Sequence, residues 1–125
     1  MTLDHDPTSN KVIGFAIEVH RNLGPGLLES AYEDCLALEM KQNGVSFRRQ
    51  VALPVNYKGF KLDSAYRLDF VIEEYLVVEI KAVERLLPIH EAQLLTYPKL
   101  SGLKIGLLLN FNVPLLRDGI KRMVL

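Results

Sequence analysis

From Ser9 onward the apolar positions Val12, Ile13, Ala16, Ile17 and Val19 recur at helical spacing, which predicts a helix with one buried face. Ser9 or Asn10 is placed to cap its start, and Gly24 to stop it in a left-handed conformation. The triplet "GPG" then forces a corner. A second helix is predicted from about Leu27 to Gln42, ended by Asn43-Gly44. Beyond Gly44 the period becomes two. "VSFRRQVALPV" and "VNYKGFKL" read as strands with "YKGF" as a turn, and "YRLDFVI" and "YLVVEIKA" follow, parted by Glu73-Glu74. A third helix is predicted from Ile89 to about Tyr97, where Pro98 ends or kinks it. "KIGLLLNF" is a continuous apolar run, as in a strand buried on both faces, and "VPLLRDGIKRMVL" reads as a short turn and a last strand. The order is α-α-β-β-β-α-β-β: a mixed α/β domain over residues 9–125, behind a flexible tail of residues 1–8.

A chain of 125 residues, 49% hydrophobic, fits one packed domain. Its 15 basic and 15 acidic residues cancel, so any nucleic-acid footprint has to be local. The single cysteine, Cys35, excludes an internal disulfide, and helical spacing sets it among Leu28, Ala31 and Leu38 as a buried, inert thiol. The polar, acidic start "MTLDHDPTSN" is no signal peptide, and no apolar run approaches the roughly 20 residues of a membrane span. The expectation is a cytoplasmic protein, complete as given, with no membrane partner.

The hairpin "YRLDFVIEEYLVVEIKA" carries the candidate chemistry. Matching its apolar faces pairs Ile72 with Leu76, Phe70 with Val78 and Leu68 with Ile80. Val71 then meets Val77, Arg67 meets Lys81, and Asp69 faces Glu79, with the two carboxylates about 5 Å apart at Cβ. Opposed like charges destabilise a sheet unless one acid is protonated or a cation lies between them. Lys81 shares the face of Glu79. Two carboxylates and a lysine suit phosphodiester hydrolysis: oxygen ligands hold Mg²⁺ or Mn²⁺, and an ammonium orients water or offsets charge on the phosphate. An ordinary ladder of mixed surface charge has the same spacing. The register also needs an odd loop, Glu73-Glu74-Tyr75, without a glycine for its left-handed position.

The blocks "GLLESAY" (Gly26, Glu29, Tyr32), "RQVALPVNYKG", "YRLDFVIEEYLVVEIKA", "HEAQLLTY" and "GLKIGLLLNFNVPLLRDGIKR" resemble, in order and over about residues 9–123, the GxxExxY protein family. That family is placed in the PD-(D/E)xK nuclease superfamily. The resemblance implies a restriction-endonuclease-like α-β-β-β-α-β core, with a mixed sheet flanked by helices and an extra N-terminal helix. It implies a Mg²⁺- or Mn²⁺-dependent nuclease acting on DNA or RNA. Asp69, Glu79 and Lys81 match the superfamily's acid and E-x-K strand. Glu29 matches the helix acid that completes the metal site, and Gln93 the polar residue on the following helix, with Tyr97 one turn on. Leu68 stands where the superfamily often has proline.

Tyr32, Tyr97 and Arg67 are candidate substrate contacts, the tyrosines more ordinarily packing residues. His90 shares the Gln93–Tyr97 face, and His20 suits the dipole at the end of the first helix. Arg48, Arg49, Lys58, Lys61, Arg117, Lys121 and Arg122 are available for a strip that tracks phosphates. No aromatic–basic interleaving of a base-stacking platform stands out, and no zinc spacing, phosphate loop or Ser-His-Asp set is present. The rival readings are an inactive nuclease-fold module that binds nucleic acid or a partner protein, and a homo-oligomer whose acids form salt bridges across an interface.

Overall fold

The computed structural model describes residues 6–96 and 103–125. Helix α1 (Pro7–Leu23) is capped by Asp6, whose carboxylate accepts from the Ser9 amide at 2.7 Å and from the Tyr75 hydroxyl at 2.6 Å. Asp6 is buried, and proline at the first helical position gives up an amide that has no helical partner anyway. The helix therefore starts earlier than the apolar period indicates. Neither Ser9 nor Asn10 caps it, and residues 6–8 belong to the helix and its cap rather than to a tail.

Helix α2 (Glu29–Gln42) buries Tyr32, Leu36, Ala37 and Met40. The stripe expected around Cys35 is the wrong one: Leu28 and Leu38 are exposed, and Cys35 only flanks the core. Three strands follow, β1 (Phe47–Tyr57), β2 (Phe60–Ile72) and β3 (Leu76–Lys81), then α3 (Pro88–Thr96) and β4 (Ile105–Asn110). A short 3-10 turn, Leu116–Gly119, leads into β5 (Ile120–Val124). "FKL" and "YRLDFVI" are one 13-residue strand, longer than either stretch by itself. Tyr97 and Pro98 lie outside the described residues. No helix among the described residues is long and apolar enough to cross a membrane.

Among the described residues the sheet has five strands in the order β1-β2-β3-β4-β5. Of the strand pairs described, β3 and β4 run parallel and the others antiparallel, with α3 lying between β3 and β4 in the chain. One core lies between the sheet and α1–α2, with Phe70, Ile72, Leu76, Val78, Ile80, Leu107, Leu109 and Phe111. A smaller one on the other face holds Leu53, Leu68, Val71, Val77, Leu94 of α3 and Leu108. Burial on both sides is why β3 and β4 read as continuous apolar runs. Gly106 of β4 allows α3 to sit close, since an added Cβ there would stand 2.9 Å from Leu94.

The hairpin register is the one apolar matching requires: Phe70 with Val78, Val71 with Val77 and Ile72 with Leu76. The turn solves its missing glycine directly, with Glu73 and Glu74 both left-handed at φ 54° and 50°. Glu73 is tied to the residue before β1: its amide donates to Ser46 O at 3.0 Å, and its carboxylate accepts from Ser46 N. Arg48 forks onto Glu74 at 2.7 and 2.9 Å. These contacts to the neighbouring strand hold a backbone that glutamate otherwise avoids.

Candidate active site

Pairing of β2 with β3 stops at Phe70 and Val78, one residue short of the acids. The cause is a switch of facing. Arg49 and Phe70 pair on the α1–α2 side, whereas the next pair, Val51 and Leu68, packs on the α3 side. A regular strand would keep residues two apart on one face. Between these pairs Gln50 is left-handed at φ 50°, opposite Asp69, and turns the alternation over. From there β2 leaves β3 and continues paired with β1.

Two expected pairs are corrected by this switch. Leu68 does not meet Ile80; it is buried in the second core. Arg67 does not meet Lys81; it is exposed and pairs with Ala52 of β1.

In the split between the strands, the carboxylates take the place of the missing ladder. The Asp69 amide donates to Glu79 Oε1 at 3.1 Å, and the Ile80 amide donates to Asp69 Oδ2 at 2.8 Å. Each acid thus accepts from the other's strand. The acids are brought together as expected, though by insertion into the split rather than as opposed side chains above an intact ladder.

Glu79 is 3% exposed. Burial, and then the negative charge of Asp69, push its pKa up to about 8, against a smaller opposing pull from the Asp69 amide and the Lys81 ammonium. Lys81 is half-buried on the same strand face. The main chain beyond it is held by Asn110, buried at the end of β4, which accepts from Val83 N at 3.1 Å and donates to Val83 O at 2.9 Å. Phe111 N donates to Lys81 O at 2.9 Å. Gly119 packs on the Asn110 carbonyl so tightly that an added Cβ would overlap its oxygen.

The other sequence candidates scatter around this pair. Glu29 opens α2, exposed, and lines an open cleft of about 470 Å³ with Leu27, Leu28, Ser30, Ala82 and Val83. It stands at the exit of β3, just past Lys81. Among the described residues, no three His, Cys, Asp or Glu side chains cluster closely enough to hold a metal ion, so Glu29 does not join the pair in this arrangement.

Tyr32 is fully buried, stacked on Phe111 at 4.4 Å. Its hydroxyl donates to Gly24 O at 2.6 Å and accepts from Leu27 N at 3.1 Å. It bolts the corner that precedes Glu29, and its ring is closed off from solvent. Gly24 and Gly26, at φ 68° and 98°, supply the backbone that corner needs. Gln93 is half-buried beside Leu94 on α3. His90 Nδ1 accepts from Leu87 N at 3.0 Å and so caps α3. His20 Nε2 meets Val113 O at 2.8 Å, tying α1 to the chain after β4.

Two residues at the site were missed in the sequence. The Gln50 amide nitrogen donates to Glu33 Oε1 at 2.7 Å and to Asp69 Oδ1 at 3.3 Å. Glu33, one turn after Glu29 on α2, is held in turn by Arg49 at 2.6 Å. A left-handed glutamine costs on the order of 1 kcal/mol or more, and such outliers gather at functional sites. Helical spacing from Glu29 could have flagged Glu33; nothing local marks Gln50. Gln50→Ala is expected to weaken Mn²⁺ binding about tenfold, because the partner that orients Asp69 is lost while the backbone stays left-handed. Calorimetric titration of the variant against wild type measures this.

The donor set suits a small, hard cation: two carboxylates, with the pKa of Glu79 raised by its burial and by the charge of Asp69. Mg²⁺ is commonly bound by one or two carboxylates, with water and substrate completing the shell. Nucleases of the PD-(D/E)xK type generally use divalent ions. No curated protein and no solved structure matched the chain. The model of the PD-(D/E)XK nuclease superfamily matches residues 6–123. With its α-α-β-β-β-α-β-β order, its mixed sheet and its paired acids followed by Lys81, the chain belongs to the PD-(D/E)XK nuclease superfamily.

Proposed function

We propose that this protein is a divalent-metal-dependent phosphodiesterase acting on DNA or RNA, with Asp69, Glu79 and Lys81 at its centre. The observation that carries the reading is the Asp69–Glu79 pair, with Glu79 buried, bonded across split strands with Lys81 on the same face as Glu79. A cation held by the two carboxylates, Mg²⁺ or Mn²⁺, supplies Lewis-acid polarisation of the phosphate and a more acidic water.

The chain's own groups do the rest. Asp69 is oriented by the Ile80 amide and by Gln50. Lys81 orients the attacking water and offsets negative charge that develops on the phosphate. Gln93, on the helix after β3, steadies that water or contacts the backbone. Glu29, at the cleft mouth beside Ala82, contributes through water rather than directly. Full agreement of "GLLESAY" with the GxxExxY motif supports placing the chain in that branch of the superfamily.

A melting experiment tests the metal centre. Mn²⁺ is expected to raise the melting temperature of wild type by several degrees at saturating ion, and Asp69→Asn to abolish the rise. Cleavage of single- and double-stranded DNA and RNA is followed in parallel. A rise with no cleavage of any of the four would identify the binding module instead; no rise at all would remove the metal site.

A further inference from the structure

The β1–β2 hairpin beyond Gln50 and Asp69 is a two-stranded arm whose tip is apolar and open. Tyr57 is 59% exposed and Phe60 72%. They pair across the arm, and the next pair along the same face is Val55 with Leu62. Asn56 and Lys61 pair on the opposite face. Lys58 and Gly59 make the turn, with φ 49° and 84°, and the Lys58 ammonium lies 5.4 Å from the centre of the Tyr57 ring. Along the chain Tyr57, Lys58, Phe60 and Lys61 fall within five consecutive residues, a local interleaving of rings and cations that reads there only as a turn. The register assembles them.

Charge says what suits this face. Residues 51–68 carry Lys58, Lys61 and Arg67 against one acid, Asp63, in a chain that is neutral overall. Three other cations available for a phosphate strip are paired with acids: Arg48 with Glu74, Arg49 with Glu33 and Asp34, and Lys121 with Glu91. A second copy of the arm laid on this tip would set lysines against lysines. Exposed rings flanked by cations instead match unstacked bases on a phosphate backbone, a recognition that single strands offer and intact duplexes do not.

We propose that the arm tip binds single-stranded nucleic acid, with Tyr57 and Phe60 stacking on bases and Lys58 and Lys61 meeting phosphates. The proposal rests on the nuclease reading of the acid pair for its purpose: the arm springs from Asp69 itself. Phe60 lies nine positions before Asp69, so the tip lies roughly 25–30 Å from the acids. A strand reaching both needs on the order of eight nucleotides at a stacked rise of about 3.4 Å.

The test is fluorescence anisotropy with labelled dT₁₅, dT₅ and a duplex of the longer length. It is run in EDTA on an Asp69→Asn background so that nothing is cut. Tyr57→Ala with Phe60→Ala is expected to weaken dT₁₅ binding at least tenfold and duplex binding much less. Lys58→Ala with Lys61→Ala is expected to flatten the salt dependence by about one unit of slope. The exposure of these side chains leaves folding intact, checked by circular dichroism and melting. Undiminished dT₁₅ affinity in the ring variant overturns the proposal. So does a dimer in sedimentation that this variant dissolves, since the occupant would then be a second copy. Arm-dependent binding without cleavage in metal-loaded wild type would leave the arm standing and remove the nuclease reading; cleavage with arm-independent binding would do the reverse.

Discussion

Lys81→Ala is expected to lower the cleavage rate about 10²–10³-fold and to leave the Mn²⁺-induced rise in melting temperature in place. The lysine ends β3, and its surroundings are rigid. Phe111 N holds its carbonyl, and Asn110 clamps Val83 two residues on. Its ammonium already acts on the acids, pulling Glu79 back toward the charged form. It stands beside the carboxylates without accepting a cation itself, since an ammonium has donors only. Removing it takes away a positive charge, so a bound cation becomes the pair's sole compensation and the thermal shift persists or grows. Retained cleavage in Lys81→Ala would move the chemistry to another group. Loss of both cleavage and thermal shift would make the residue structural.

Glu79→Gln is expected to flatten the dependence of metal-free stability on pH. The Glu79 carboxyl has an ordinary pKa of 4.5 in the unfolded chain and about 8 in the native one. Between those values the native state holds a proton that the unfolded state has released. Stability therefore falls as pH rises through this window and levels off above about pH 8. The full effect is on the order of a few kcal/mol. Glutamine keeps the oxygen that accepts from Asp69 N and carries no charge to bury, so the variant keeps its low-pH stability across the range. In wild type the same proton competes with the cation. The Mn²⁺ shift should accordingly be larger at about pH 8.5 than at about pH 6.5. Melting curves over this range, in EDTA and in Mn²⁺, measure both. A flat profile for wild type, or an equal slope in the variant, would show that Glu79 titrates normally.

Both outcomes depend on how the acids meet, and that was only half legible in the chain. Apolar matching brings Phe70 to Val78 and Ile72 to Leu76, because a one-residue slip would turn a buried face to water. Asp69 then has to arrive opposite Glu79. Extending the same logic one pair further, to Leu68 and Ile80, fails. A period of two assumes an unbroken alternation, and the break sits on the neighbouring strand, at Gln50. No apolar pattern reports a left-handed glutamine. Its stability comes from Glu33 and Asp69, which are distant in sequence.

The motif Gly26-x-x-Glu29-x-x-Tyr32 divides in the same way. Its spacing marks a corner followed by a helix with an acid in its first turn. That Tyr32 turns inward to bolt Gly24 and Leu27, and that Glu29 faces Ala82 and Val83, depends on α2 lying over the end of β3. Arg48 and Arg49, available in the chain for a phosphate strip or as scattered surface charge, are partners of Glu74, Glu33 and Asp34.

By itself the sequence determined the order of elements, the hairpin register as far as Phe70 and Val78, and the meeting of two acids near one strand end. Each of these follows from periodicity over a few residues and from the cost of exposing apolar faces. The tertiary structure decided the rest: where β2 parts from β3, which acid is buried and protonated, which cations are spent on neighbours, and which rings are left open on the arm. Those outcomes turn on groups far apart in the chain that share one volume, and a local pattern holds no record of what packs against it.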